Sequence, residues 1–153
     1  FRGGDLIVTY DLSESTSTLL KKASKLFVRL ANIHLKELKI PHAYTFFLMQ
    51  LWDQDGQTQS TLHRKIGIEQ PTAVRTLDRM ERDKFIKRVR CKDDRRAVKI
   101  YLTDYAKNLQ KDALTCAKNI NDLMLSDFTK DDKKFLNLYL RKIIGALEEN
   151  LPR

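Results

Sequence analysis

Behind Pro71, the residues Thr72, Arg75, Thr76, Arg79 and Arg82 recur at three- and four-residue steps. Advancing by about 100 degrees per residue from Val74 gathers these five on one side of a helix and Ala73, Val74, Leu77 and Met80 on the other. The apolar side is suited to a core. The polar side offers guanidinium groups and hydroxyls from the helix N-terminus onward, as a helix in a DNA major groove must. There the first side chains reach base edges and the later Arg residues reach phosphates. Arg75 is the residue best suited to bidentate contact with guanine O6 and N7, because only a planar fork matches both acceptors. Gln70 and Thr72 suit either bases or phosphates, and Pro71 lies on the same surface. The ordinary fate of a helical Arg is to pair with an acid one turn away, and Asp78 and Glu81 are placed to supply that partner.

A second basic feature, Asp94-Arg95-Arg96, sets two Arg beside an acid able to orient them, and a protruding Arg is what a narrow minor groove attracts. Alone, the tripeptide would ordinarily be a salt-bridged turn. Between His63 and Lys99 stand thirteen basic residues against six acidic ones, so most of the chain's net charge of +9 is concentrated there. Such a field draws a polyanion through counterion release, with nucleic acid or an anionic membrane surface as the candidates. A bare charge run is more often a solvated face, so the elements that carry the charges decide.

Those elements follow from periodicity. Leu19, Ala23, Leu26, Leu30 and Ile33 predict a helix from Ser13 to about Lys39, apolar over more than one stripe, so that two of its sides need burial and a second chain is one way to provide it. Pro41 fits the first turn of a helix running to a break at Asp55-Gly56. A short helix from Thr58 to about Lys65 ends at Gly67, and Pro71 opens the next, to about Lys84. The period then changes to two: Ile86 to Cys91 and Val98 to Leu102 form a two-stranded hairpin with a basic tip. Thr103 caps a helix from Asp104 to about Ser126, and Thr129 with Asp132 forms a capping box for a last helix reaching Leu151.

Composition narrows the remaining classes. At 153 residues and 17.9 kDa the chain has the length of one domain, and 5 Gly with 3 Pro favour long, mainly helical elements. The sequence contains no apolar run of membrane-spanning length, and Phe1-Arg2-Gly3-Gly4-Asp5 lacks a signal-peptide core, so a cytoplasmic, nucleoid-associated protein without membrane contact is expected. A first Phe rather than Met suggests that the natural N-terminus lies upstream. Cys91 and Cys116 show no CxxC and no His at ligand spacing, which argues against a disulfide framework or metal site. Neither is marked as a reactive thiolate, since Cys116 sits on an apolar stripe. No phosphate-binding, zinc-protease or nucleophile-elbow motif is present, so neither catalysis nor a cofactor is expected. Tyr44, Phe46, Phe47 and Trp52 read as core, and His34 as a hydrogen-bonded core residue. A small pocket near His34, Tyr44 and Phe47 is the candidate for an effector.

Helix, helix, helix and hairpin, flanked by long helices, is the order of a winged helix-turn-helix in a helical frame. The stretch from Ile66 to Leu102, with its IGIEQP, VRTLD and DRRA segments and the Leu102-Thr103 that launches the next helix, resembles the MarR family of winged-helix transcriptional regulators, nearest its SlyA branch. The resemblance is detailed over about 40 residues, and the helix order extends it to nearly the whole chain. It implies a homodimer joined by N- and C-terminal helices, palindromic double-stranded DNA sites, and often a small aromatic or anionic effector, such as an aromatic carboxylate. It also places Arg75 on the base-reading helix and Arg95 in the wing's minor-groove position, oriented by Asp94.

Two departures stand out. Lys84 replaces the family's usual Gly closing the recognition helix, so either a left-handed cap there costs on the order of 1 kcal/mol or the turn differs. Leu62-His63 replaces a common Leu-Ala pair. The expectation is therefore a single mainly α domain with a small β-hairpin, in which 41–103 forms the winged helix-turn-helix lobe and 13–39 plus 104–151 the dimerisation frame. Expected DNA contacts are Gln70, Pro71, Thr72, Arg75, Thr76, Arg79, Arg82, Asp94, Arg95 and Arg96. The competing readings are an architectural DNA-coating protein with weak base discrimination and a winged-helix protein-interaction module. Their signatures are, respectively, equal affinity for all duplexes and no salt-dependent DNA binding.

Overall fold

The computed structural model describes residues 11–90 and 97–152. Helix α1 (Thr16–Leu35) starts where the Ser15 hydroxyl accepts the Thr18 N–H, and it ends four residues short of the expected Lys39. The reason is a local closure. Lys39 adopts φ 54°, its N–H bonds the Lys36 carbonyl at 3.0 Å, and the Ile40 N–H reaches back to the Leu35 carbonyl at 3.2 Å. These nested bonds satisfy carbonyls that a helix end leaves orphaned.

The same closure ends the next two basic helices. Helix α3 (Gln59–Ile66) closes through Gly67 at φ 72°, with Ile68 N–H on the His63 carbonyl at 3.2 Å. Helix α4 (Gln70–Arg82) closes through Lys84 at φ 64°, with Phe85 N–H on the Met80 carbonyl at 2.8 Å. An apolar residue follows each left-handed one, and Ile40 and Phe85 are buried, so each of those two closures turns the chain back into the core. Of the two alternatives at Lys84, the left-handed cap is the one present, without the glycine that would relieve it.

Pro41 is the N-cap of α2 (His42–Asp53) rather than a residue of its first turn. This helix buries Tyr44, Phe47, Leu48 and Leu51, while Trp52 donates its indole N–H to the Ala106 carbonyl at 3.0 Å. Phe46, expected in the core, is 53% exposed.

The break at Asp55-Gly56 leads into a strand that the periodicity does not show. Strand β1 (Gln57–Thr58) pairs antiparallel with β3 (Val98–Leu102), Gln57 opposite Ile100, and β2 (Ile86–Arg90) pairs with the other side of β3, Arg88 opposite Ile100. The sheet therefore has three strands in the order β1-β3-β2, not two. Asp55 fixes the junction, its Oδ1 accepting the Leu102 N–H at 2.8 Å and the Gly56 N–H at 3.0 Å. Gly56, at φ 76°, lies so close to Tyr101 that a Cβ would stand 2.7 Å from the ring.

Thr103 caps the helix that follows, but the single helix expected from Asp104 to Ser126 is two, α5 (Asp104–Asn108) and α6 (Gln110–Met124), separated at Leu109. Helix α7 (Lys130–Asn150) begins with the expected capping box of Thr129 and Asp132. The chain divides into two compact units between Cys116 and Ala117. In the first, the fully buried side chains Tyr44, Phe47, Leu48, Leu51, Leu62, Leu77, Met80 and Ile100 come from α2, α3, α4 and β3. In the second, α7 has no buried residue, and Phe135 and Leu147 are 50% and 60% exposed. The fold is thus mainly α with a small antiparallel sheet, and no described helix is long and apolar enough to cross a membrane.

Candidate nucleic-acid interface

Helix α4 is held from behind. Ala73, Thr76, Leu77 and Met80 are buried along one arc, and the remaining surface carries Thr72, Arg75 and Arg79 in the open. Two assignments made from the sequence change places. Thr76 is only 4% exposed and belongs to the buried arc, while Val74 lies half-buried at its edge. At about 100 degrees per residue Thr76 stands only about 40 degrees from Met80, so the buried arc is centred between Ala73 and Met80 and not on Val74. Gln70 and Pro71 are exposed on the first turn, Thr72 follows, and no carboxylate side chain caps this helix start. The unpaired N–H groups and dipole of that turn favour an anion. Thr72, Arg75, Thr76, Asp78 and Arg79 line an open cleft of about 510 Å³.

The acids of α4 are not where i to i+4 pairing would put them. Asp78 and Glu81 both bind Arg88 of β2, at 2.7 Å each, and Glu81 also accepts the Arg88 backbone N–H at 3.2 Å. Arg82 turns back to Asp83 at 2.9 Å. Arg75 and Arg79 form no ion pair with any described residue. Arg79 nonetheless lies within Coulombic reach of Asp83.

Asp83 joins the end of α4 to α2, accepting the Tyr44 hydroxyl at 2.7 Å. The hydrogen bonds from Arg82 and then Tyr44 hold its carboxyl below the usual carboxylate range. Burial, reinforced by the Asp83 carboxylate, pushes the Tyr44 phenol up to about 12. The edge-on stacks Tyr44–Phe85 and Phe85–Tyr105, both at 5.3 Å, continue this contact into the core.

The three residues expected near an effector pocket are placed differently from one another. Tyr44 and Phe47 are each 1% exposed and packed in the core, whereas His34 is exposed on α1, and its placement among core residues fails as well. The wide apolar surface of α1 does not enclose its sides within one chain, since Leu19, Leu26 and Ile33 remain more than half exposed. A cavity of about 200 Å³ lies elsewhere, between the starts of α3 and α4 and the tip-side end of β3, lined by Thr58, Gln59, Ser60, His63, Gln70, Ala97 and Val98. His63 departs from a Leu-Ala pair in the sequence, and here it is half-buried against this cavity.

Of the hairpin, Lys87, Arg90 and Lys99 lie exposed on the stem, and Cys91, Asp94, Arg95 and Arg96 lie outside the described residues. Cys116 is partly buried, and desolvation raises its thiol above the ordinary value, which disfavours a reactive thiolate. The residue that reasoning from the sequence missed is Arg88. Its only signal was its position two residues after Ile86 in a run of period two, which puts it on the side of the strand facing α4.

The arrangement has close counterparts. The model of the MarR family matches residues 41–98. The transcriptional repressor CouR, solved on a 23-mer DNA duplex, is 25% identical over 87% of this chain and 94% of its own, with a TM-score of 0.80. MepR of S. aureus, solved as a DNA complex, is 22% identical over 86% and 98%, with a TM-score of 0.81. The transcriptional regulator SlyA is 21% identical over 86% and 93%, with a TM-score of 0.80. The matched segment runs from α2 through β2 to the first residue of β3, and the structural likeness extends over 86–87% of the chain. Residues 41–98 thus match the MarR family model, and the chain shares the fold of these winged-helix proteins.

Proposed function

We propose that this chain is a dimeric, sequence-specific DNA-binding transcriptional regulator, with α4 in the major groove and the hairpin tip in the minor groove. The observation that carries the reading is the exposed face of α4. It starts at an anion-favouring helix end and continues through Arg75 and Arg79, which form no ion pair with a described carboxylate, on a helix fixed to the core along its other side. The relatives CouR and MepR, with the same fold, are solved on DNA. Contacts are assigned to Gln70, Pro71, Thr72, Arg75, Arg79 and Arg82 on the helix, and by the sequence motif to Arg95 and Arg96, with Asp94 as orienting partner. Thr76 acts from beneath as a packing residue.

The uncovered apolar side chains of α1, and separately those of α7, support the dimer, because so many exposed apolar residues on one helix ordinarily mark an interface. A two-fold dimer reads two half-sites one helical turn apart, hence palindromic DNA. Residues 41–103 form the reading lobe, and 13–39 with 104–151 the frame. The setting is the cytoplasm, on the nucleoid. Relief by a small aromatic or anionic effector belongs to the same proposal, with a site other than the packed Tyr44–Phe47 region. Its check is a panel of aromatic carboxylates at millimolar concentration, and unchanged operator affinity across the panel removes this part.

The deciding experiment maps bound sites genome-wide and then titrates variants on the best site and on a scrambled duplex at several salt concentrations. Arg75→Ala should lose roughly 1 to 3 kcal/mol per half-site on the best site and far less on scrambled DNA. Arg95→Ala should weaken both duplexes and lower the slope of log K against log salt by about one unit per removed contact. Equal losses for Arg75→Ala on both duplexes would favour the architectural reading, and salt-independent or absent binding would favour a protein-interaction module.

A further inference from the structure

Asp78 is out of place on a DNA-facing cleft. It lines the same open cleft as Arg75 and Arg79, 58% exposed, three residues beyond one guanidinium and four before that of Arg82. Helical geometry puts Asp78 within reach of Arg75 and Arg82, and the Asp-to-Arg order at i, i+4 is the favourable one. Glu81, one turn further on, is also exposed. Left to themselves, these carboxylates would capture the helix cations or repel phosphate. Neither does so here, because Arg88 reaches across from β2 and engages both at once, one Nη on each carboxylate, while its backbone N–H donates a third bond to Glu81. Arg88 itself is only 21% exposed. A flexible ammonium lacks the paired, fixed donors for this double grip.

We infer that Arg88 is a positioning residue for DNA recognition. It sequesters Asp78 and Glu81 and thereby keeps Asp78 off Arg75, which stays unpaired for the nucleic acid. The inference rests on the DNA-binding reading above and assigns to it a residue that does not touch the groove. The hairpin stem thus sets the electrostatic state of the reading helix in addition to carrying the tip.

The test is a cycle of four full-length proteins: wild type, Arg88→Gln, the pair Asp78→Asn with Glu81→Gln, and the triple variant. Binding to the best mapped duplex is measured at several salt concentrations. Arg88→Gln should weaken binding on the order of tenfold. The carboxylate pair variant should bind as well as wild type or better. The triple variant should bind within about threefold of the pair variant, because once the acids are gone there is nothing left to sequester. Arg88→Lys, which keeps the charge and loses the fork, should fall between wild type and Arg88→Gln. If Arg88→Gln costs the same factor with and without the acids, Arg88 contacts DNA itself or serves only the fold, and the inference is overturned. Wild-type affinity for Arg88→Gln overturns it too.

A second arm needs no DNA and keeps the two readings separable. Side-chain nitrogen NMR of the free protein should show the Arg75 and Arg82 guanidinium signals shifting and becoming protected in Arg88→Gln, as Asp78 is released to them, and returning in the triple variant. Unchanged Arg75 and Arg82 signals in a folded Arg88→Gln protein overturn the inference even if DNA binding holds. If the signals shift while wild type binds no duplex, the sequestration stands and the DNA-binding reading is what fails.

Discussion

Replacing Lys84 by Gly should make the protein more stable, although it removes a side chain and touches no core atom. Lys84 sits at φ 64°, with its N–H on the Glu81 carbonyl at 3.0 Å and the next residue closing onto Met80. A left-handed L-residue carries about 1 to 2 kcal/mol of strain, and Gly carries none. Gly also makes the unfolded chain looser, which takes back about 0.4 to 1 kcal/mol, so the expected net gain is roughly 0.5 to 1 kcal/mol. For a chain of this length that raises the melting temperature by about 1 to 4 °C. The assay is thermal and urea unfolding at one fixed protein concentration, since a dimer's apparent stability depends on it. Lys84→Ala separates backbone from charge, because it loses the ammonium and keeps the strain. The equivalent closures provide further checks. Lys39→Gly should stabilise by a similar amount, whereas Gly67→Ala should destabilise by about 0.5 to 1 kcal/mol through backbone strain alone, because nothing lies within 4 Å of the added Cβ. Gly56→Ala should cost more, since Tyr101 must also move. If Lys84→Gly proves no more stable than Lys84→Ala, the strain argument is wrong.

Tyr44 has its phenol pushed up to about 12, above the value of about 10 in an unfolded chain, so its contribution is complete below pH 10 and lost as pH climbs towards 12. A urea midpoint followed from pH 8 to 12 should show this fall in wild type and a flatter profile in Tyr44→Phe. Asp83 works in the opposite direction: its lowered carboxyl stabilises above about pH 4 and ceases to do so as pH drops through its folded value. Asp83→Asn should therefore flatten the acid limb of the same measurement. Sedimentation should find a dimer at micromolar concentration, and Leu147→Asp, on a helix with no buried residue, should shift it towards monomer. An intact chain that is already a soluble monomer contradicts the assembly proposed here. Thr76→Val, buried on the core arc, should leave DNA affinity within about twofold, and a larger loss would mean that its hydroxyl reaches the groove.

What could be read without coordinates was whatever is decided within one or two helical turns. Thr103 and Thr129 cap their helices because the hydroxyl and the amides it serves are neighbours in the chain, and Gly67 closes α3 for the same reason. The family likeness over Ile66 to Leu102 also came from contiguous residues. Features set by distant partners were not legible. The pair Gln57-Thr58 has no period of its own and becomes a strand only because β3 lies alongside it. The arc of α4 that is buried is chosen by α2, α3 and β2, and grouping residues by polarity put Thr76 on the wrong side of it. Arg88 looked like one more member of a basic run, and its partners lie seven and ten residues away on another element. His34 and Phe46 show a complementary failure, since apolar neighbours in sequence did not make either of them part of the core.

The far end of α4 is moored at three points. Asp83 is tied to Tyr44 on α2, the Lys84 and Phe85 carbonyls accept the Thr103 hydroxyl at 2.7 and 3.2 Å, and Arg88 grips the last two turns from β2. Helix α5 is bolted to the same block through Trp52 and through the contact of Lys107 with Asp55. Such a block resembles the jaw of a calliper: it can be carried to a new position but does not flex. In a two-jawed assembly reading a duplex, the gap between jaws is then adjustable only at a joint outside the block, and the first interruption in the chain after it is the one at Leu109. Changes within the jaw should alter how tightly a half-site is held, while changes at Leu109 should alter which spacing between half-sites is preferred. Grip and gauge would thus be separately adjustable, and a change that retunes operator spacing need not touch a single DNA-contacting residue.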